Sequence, residues 1–296
     1  MGFLIKVKKW LSLISWLFRH RKTLVFNHEL LKDSISFRFW PYFASDLEIE
    51  AFTKVWEKLS EILKPKQVTD SELIRVGSTN DGGYVVLNDL NFPLVSIGIG
   101  DETSFDHEFC KRQQIVYQYD HTIENAPICC SNPIFFKIGL GPSNLKKRNL
   151  LSLEEIIRNC RLTEPNSAIL KVDIEGSEWD IFQSLDHKSL APFRQVIIEF
   201  HGMDKMVKRK VSDVMLNVLE NLQKSFFTGF VNGNNNQPVL EFNNQRIPHT
   251  FELSLFKRSL YNFNNEPLKN PVFFRNNQKL PVIHLLQKTS SSDSLG

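Results

Sequence analysis

The chain has 296 residues, enough for one large α/β domain with extensions or for two small domains, and its 42% hydrophobic and 23% charged residues are those of a globular protein. The net charge of +3 is unevenly placed: residues 1–25 carry Lys6, Lys8, Lys9, Arg19, Arg21 and Lys22 with no acid, which leaves 30 Lys+Arg against 33 Asp+Glu elsewhere. A slightly acidic body excludes a general basic surface for nucleic acid.

The basic N-terminus flanks WLSLISWLF, which is far short of the roughly 20 residues a bilayer crossing needs. Residues 3–22 read three ways: a signal or anchor, a basic amphipathic helix on a membrane surface, or a helix packed on the domain. The absence of an Asn-x-Ser/Thr sequon disfavours secretion, so a cytoplasmic or membrane-associated protein is expected. Cys110, Cys129, Cys130 and Cys160 show no CxxC spacing, and neither zinc nor a disulfide framework is indicated.

SDLEIEAFTKVWEKLSEILK spaces Phe52, Val55, Trp56, Leu59 and Leu63 as one helix face, opened by a Ser45/Glu48 capping box. RVGSTNDGGYVVL is a glycine-rich turn between short strands, either a plain hairpin or a lid over a ligand. From residue 93 short apolar runs alternate with helices. The strands are PLVSIGIG, IVYQYD, PIFFKIGL, SAILKVDI and QVIIEFHG; the helices are SFDHEFCKRQ, SLEEIIRNC and SEWDIFQSL, with a long one from Met206 to Phe226. FFTGFVNG and HTFELSLFK close the pattern as two strands in succession. Such alternation predicts parallel β-α-β units with helices on both faces and an antiparallel hairpin at one edge. Ligands of these sheets bind at the carboxyl ends of the strands, near the switch point.

Polar residues gather at those ends. Gly98 and Gly100 let the first strand turn tightly, beside Asp101, and Asp120 ends the second strand about 20 residues later, the spacing of an acid on ribose hydroxyls. A dinucleotide fingerprint wants Gly or Ala where Thr103 stands, and Asp101, Glu102 and Asp106 oppose a pyrophosphate. S-adenosylmethionine (SAM), with a sulfonium, an ammonium and a ribose, suits an acidic site better than NAD does. The fourth strand ends in Asp173 and Glu175; Glu178, with Ser177 and Asp180, reads as the cap of the next helix. Alternation puts Glu199 and His201 on one side of the fifth strand, with Asn234, Asn235 and Asn236 beyond the sixth. Together these could hold a divalent cation or do acid–base work; a hydrogen-bonded network without metal is the preferred reading.

DGGYVV, VSIGIGDETSFD, VYQYDHT, LKVDIEGSEW and VIIEFH, in this order and followed by NGNNN and PHTFELSLFKR, resemble the FkbM-like SAM-dependent methyltransferases, nearest the animal methyltransferase-like subgroup. The resemblance spans about residues 70–260, leaving a basic segment 1–25, a helical extension 26–69 and a C-terminal extension 261–296. It implies a Rossmann-like, doubly wound, mostly parallel seven-stranded sheet with an antiparallel edge strand, preceded by N-terminal helices. It also implies methyl transfer from SAM, typically to a hydroxyl, here of a small molecule, lipid or glycan. By position, Gly98, Gly100 and Asp101 would line the methionine end, Asp120 the ribose, Ile138, Gly139 and Leu140 the adenine, and Asp173 the methyl group. Ser96 stands where the general pattern often has an acid. His201 is the candidate base with Glu199 orienting it, and Glu175 the candidate substrate or metal contact. No Asn/Asp-Pro-Pro-Tyr-like element follows the fourth strand, which argues against amide or base N-methylation. A non-catalytic binding module and an NAD-dependent oxidoreductase are the alternatives.

Overall fold

The computed structural model describes residues 40, 44–125, 127, 133–142, 149–237, 239–242, 245–266, 268, 274–280, 282–283 and 285–286. The three readings of residues 3–22 lie outside them. Among the described residues no helix is long and apolar enough to cross a membrane.

In chain order the elements are α1 (Asp46–Leu63), β1 (Gln67–Val68), β2 (Leu73–Val76), β3 (Tyr84–Leu87), β4 (Leu94–Ile97), α2 (Ser104–Lys111), β5 (Val116–Tyr119), β6 (Pro133–Phe136), β7 (Gly139–Leu140) and β8 (Leu150–Leu151). Then come α3 (Leu153–Asn159), β9 (Ala168–Val172), α4 (Glu178–Ser184), β10 (Phe193–Phe200), α5 (Arg209–Gln223), β11 (Phe226–Gly233), β12 (Val239–Phe242), β13 (Gln245–Pro248), β14 (Phe251–Lys257) and β15 (Phe263–Asn264). The capping boxes at Ser45/Glu48 and Ser152/Glu155 both form.

The chain folds as a Rossmann-like doubly wound α/β sheet of seven strands in the order β11-β14-β10-β9-β4-β5-β6. Strands β6, β5, β4, β9 and β10 pair in parallel, and β14 runs antiparallel to both β10 and β11. The reversed strand is the inner member of the edge hairpin, and β11 is outermost. The long connection inside that hairpin carries an unpredicted antiparallel pair, β12 and β13. PIFFKIGL is broken at Lys137–Ile138, so β7 leaves the sheet and pairs in parallel with β8. The predicted helix from Met206 begins only at Arg209, after a 3-10 turn at Met203–Val207. Cys110 is disulfide-bonded, a departure from the sequence expectation, while Cys160 is free and buried.

Alternation along the strands gives the sheet two faces. Val95, Ile97, Leu170, Val172, Val196, Ile198 and Phe200 point into the larger core with Phe52, Trp56, Leu59 and Leu63 of α1 and Met215, Val218, Leu219 and Leu222 of α5. Each such aliphatic or aromatic side chain contributes about 1.5–3 kcal/mol on burial. On the other face Leu94, Ile169 and Ile197 pack against Phe105 and Phe109 of α2 and Val76, Tyr84 and Val86 of the β2–β3 hairpin. Farther along the same strands this second face turns polar at buried Ser96, Lys171 and Glu199, with Gln118 beside them. A parallel sheet is normally apolar on both faces. This change of character, at the carboxyl ends of the strands flanking the β4/β9 switch point, locates the site.

Candidate functional site

The β4–α2 turn is built from its backbone outward. Gly98 takes φ +71°, and a Cβ there would stand 1.7 Å from the Asp173 carbonyl oxygen, so only glycine lets β4 and β9 end this close together. Lys171 Nζ donates to the Gly98 carbonyl at 2.5 Å. Asp120, at the end of β5, accepts from the backbone N–H groups of Ile99 and Gly100 through Oδ2 at 3.0 and 2.9 Å. Its Oδ1 accepts from Thr122 N and Oγ1 at 2.7 and 2.6 Å. Burial raises the Asp120 pKa, but these hydrogen bonds outweigh it and hold the carboxyl below its usual range. All four acceptor positions are occupied. Asp120 therefore shapes the glycine turn, and a ribose diol reaches it only if the Thr122 hydroxyl turns away.

The turn after β9 is pinned just as firmly. Glu175 sits in left-handed backbone at φ 56°, a strain of about 1–3 kcal/mol for a non-glycine residue, and Gly176 follows at φ 111°. Glu178 holds this turn: its Oε1 accepts from Ile174 N and Gly176 N, both at 3.1 Å. The same oxygen stands 3.1 Å from His201 Nδ1. Glu178, read from the sequence as a cap of α4 with Ser177, is a buried anchor of the turn before it. The residue is 0% exposed, and Ser177 makes no side-chain cap bond. Trp179 stacks on Phe200 at 4.1 Å and donates from Nε1 to the His201 carbonyl at 2.6 Å, fixing the histidine's main chain.

His201 Nε2 consequently faces three acids, 3.4 Å from Glu175 Oε2, 3.9 Å from Glu199 Oε1 and 4.0 Å from Asp173 Oδ1. Burial lowers the imidazole pKa, yet the Glu178 hydrogen bond and the surrounding carboxylates raise it to about 9. Glu199, expected to orient His201, is too far for that; Glu178 is the orienting partner. Glu199 instead accepts from Asn234 Nδ2 at 3.0 Å and lies 3.3 Å from Tyr84 Oη, which is 3.1 Å from Asp173 Oδ2. Burial first, then the charges of Asp173 and Glu252, push the Glu199 carboxyl well above the usual range.

These groups surround one cavity of about 550 Å³, within the size range of small-molecule sites. Of the sequence candidates, Gly98, Gly100, Asp101, Asp120, Gly139, Leu140, Asp173, Glu175, Glu199 and His201 all line it. Ile138 does not, and packs against the larger core. Asp81 and Gly82 of the β2–β3 turn reach the cavity wall with Tyr84, so the glycine-rich segment is both a hairpin and part of the enclosure. Tyr84, Lys171 and Trp179 are the positioning residues that the sequence did not single out, and Glu178 joins them in a role other than the one it read as.

Eight acids line the cavity (Asp81, Asp101, Glu102, Asp106, Asp120, Asp173, Glu175 and Glu199) against one lysine and no arginine. That lysine is already engaged by the Gly98 carbonyl and lies 3.6 Å from Asp173 Oδ2. The lining suits a cationic ligand and repels a phosphate-bearing one. Among the described residues two groups bring three ligand atoms within 4.8 Å of one another, namely Asp173, Glu175 and His201 in the cavity, and Asp81, Glu199 and Glu252, of which the first two also line it.

No protein-family model matches the chain, and no curated protein sequence does. Among solved structures, the fibrillarin pre-rRNA processing protein of Methanococcus jannaschii is similar with a TM-score of 0.32 and 12% identity, over 65% of this chain and 87% of that one. A protein described as a hemolysin, from Streptococcus thermophilus, reaches a TM-score of 0.30 at 12% identity, over 67% of this chain and 74% of that one. Similarity this low carries no argument about activity, and the functional reading rests on the cavity itself.

Proposed function

We propose that the protein is a SAM-dependent methyltransferase that methylates a hydroxyl of a small molecule, lipid or glycan. The observation that carries this reading is the cavity at the switch point, lined by eight acids and one lysine around a glycine turn. A ligand with a sulfonium and an ammonium gains from that field, whereas the pyrophosphate of a nicotinamide dinucleotide is repelled by it. The buried Asp173 Oδ1, without a hydrogen-bond partner, is one acceptor free to meet such a cation.

Bound SAM supplies an electrophilic methyl group. The chain's own task is to orient and to move one proton. Gly98 and Gly100 bring backbone close to the cofactor, with Asp120 fixing their conformation. Asp173 and Tyr84, hydrogen-bonded to each other, line the cavity together with His201. When the acceptor oxygen attacks, its C–O bond forms as the methyl–sulfur bond breaks, and the hydroxyl proton passes to His201 Nε2. The imidazole takes that proton in its neutral form, which grows as pH rises toward its pKa of about 9. Glu178 keeps Nε2 turned toward the cavity by engaging Nδ1.

Calorimetric titration of the folded chain with SAM and with NAD tests the reading. Saturable binding of SAM alone is expected; NAD binding, or no SAM binding, overturns it. A tritiated-methyl screen over extract fractions then identifies the acceptor.

A further inference from the structure

The β2–β3 hairpin carries one wall of the cavity, yet it forms a two-stranded sheet apart from the seven-stranded one. A two-stranded hairpin is marginal by itself in water. Its strands gain support from the smaller core through Val76, Tyr84 and Val86. Its turn brings Asp81 and Gly82 to the cavity, but residues 79–81 are exposed and lie beyond that core.

Residues 274–280 hold the turn from the other side. Asn276 is 4% exposed, and its amide nitrogen donates to Glu252 Oε1 at 2.6 Å and to Asp81 Oδ1 at 3.1 Å, one N–H for each. Its Oδ1 accepts from Asn232 Nδ2 at 3.3 Å. One neutral side chain thus ties the turn to β14 and β11. Two residues on, Gln278 Nε2 donates to the Thr79 carbonyl at 2.8 Å. Two residues back, the Phe274 ring lies under the Arg75 guanidinium, 4.3 Å away, and Arg75 in turn donates to the Ser78 and Asn80 carbonyls. Alternate residues of the segment therefore all meet the hairpin.

The residues between them are anchored to the asparagine-rich turn after β11. Asn277 N donates to Asn235 Oδ1 at 2.8 Å, and Asn277 Nδ2 to Asn236 Oδ1 at 3.1 Å. Asn235 Nδ2 lies 3.0 and 3.1 Å from the carbonyls of Asn277 and Leu280. Farther along, Ile283 bridges to Gly233 and is 1% exposed. Of the three asparagines that follow β11, Asn234 serves the cavity acid Glu199, while Asn235 and Asn236 hold the C-terminal segment.

We infer that residues 274–280 are a clamp that completes the cavity, with Asn276 as the positioning residue that holds Asp81 and the glycine-rich turn in the wall. The C-terminal extension, which lies outside the stretch resembling the methyltransferases, is then part of the site. A clamp of amide hydrogen bonds on an exposed turn opens more readily than the sheet beneath it, so ligands enter and leave here. The clamp stands whether or not the ligand is SAM.

Hydrogen–deuterium exchange of the full chain tests it, comparing the hairpin, residues 73–87, with β4 and β9. Asn276→Ala removes bonds to two carboxylates and should speed exchange of the hairpin about tenfold or more. Gln278→Ala changes an exposed residue, leaves Glu252 paired, and should speed it about threefold; it decides alone if Asn276→Ala does not fold. Strands β4 and β9 should exchange as in the wild type. In stopped-flow mixing, SAM should both enter and leave the variants faster, whereas a defect of packing alone changes mainly the rate of leaving. The inference is overturned if both variants exchange as the wild type does, if β4 and β9 loosen as much as the hairpin, or if a loosened hairpin leaves both rates for SAM unchanged. A chain that binds no SAM overturns the proposed function instead, and exchange then decides the clamp.

Discussion

Glu178 Oε1 and His201 Nδ1 meet at 3.1 Å, joining the first residue of α4 to the residue that follows β10. Through this contact one carboxylate fixes both the strained turn at Glu175 and the direction of the imidazole. Removing its oxygens by Glu178→Ala strands two backbone donors, and a loss of about 2–3 kcal/mol is expected in urea unfolding. Glu178→Gln keeps an acceptor for those donors and should cost clearly less. If the two variants are equally stable, the turn does not depend on this side chain.

Removing the imidazole tests the proposed base. His201→Ala should lower methyl transfer by about 10²–10⁴-fold while SAM affinity stays within a few-fold. Single-turnover assays at saturating SAM separate the two effects, and undiminished turnover would exclude His201 as the base.

Asp120 acts through the glycine turn. Asp120→Ala leaves the Ile99 and Gly100 N–H groups without their acceptor, and SAM binding should weaken by about 1–3 kcal/mol in a calorimetric titration. Equal affinity of variant and wild type would mean that the turn keeps its shape without the carboxylate.

The same carboxyl gives a signed pH dependence. Its folded pKa is depressed, because hydrogen bonds from Thr122, Gly100 and Ile99 outweigh burial, so its stabilising contribution is complete above the ordinary aspartate value of 3.8. It is lost as pH falls below that value through the folded pKa. Urea unfolding of wild type and Asp120→Asn from pH 6 to pH 2 should show the stability gap between them narrowing at the acid end. A constant gap contradicts the assignment.

At Gly98 the forbidden contact is with backbone rather than with a yielding side chain. Gly98→Ala combines a left-handed φ with a Cβ driven into the Asp173 carbonyl, so β4 and β9 must separate at their ends. A loss of at least about 2 kcal/mol is expected, together with loss of SAM binding. Thermal unfolding checks the first and calorimetry the second; an alanine variant with wild-type values in both would refute the close approach.

The sheet and its strand-end acids were legible because alternation is local: Asp120, Asp173 and Glu199 announce themselves by breaking apolar runs. Glu178 reads from the sequence as a helix cap, and only the packing of Trp179 and His201 shows that it is a buried anchor of the preceding turn. Tyr84 was illegible for another reason. Its partners Asp173 and Glu199 lie 89 and 115 residues away, and nothing in a run of YVVL marks a hydroxyl that spans two other strands. Ile138 was placed beside Gly139 and Leu140 by the family resemblance, whereas the break at Lys137–Ile138 leaves it packed against the larger core.

The reach of Tyr84 has a consequence for folding. The cavity is complete only once a hairpin near residue 84 has docked on strands that end more than 80 residues later, so its walls depend on contacts distant in sequence. A partly folded chain therefore offers no ligand site. Ligand binding then stabilises only the completed fold, and it doubles as a measure of how much of the protein has finished folding.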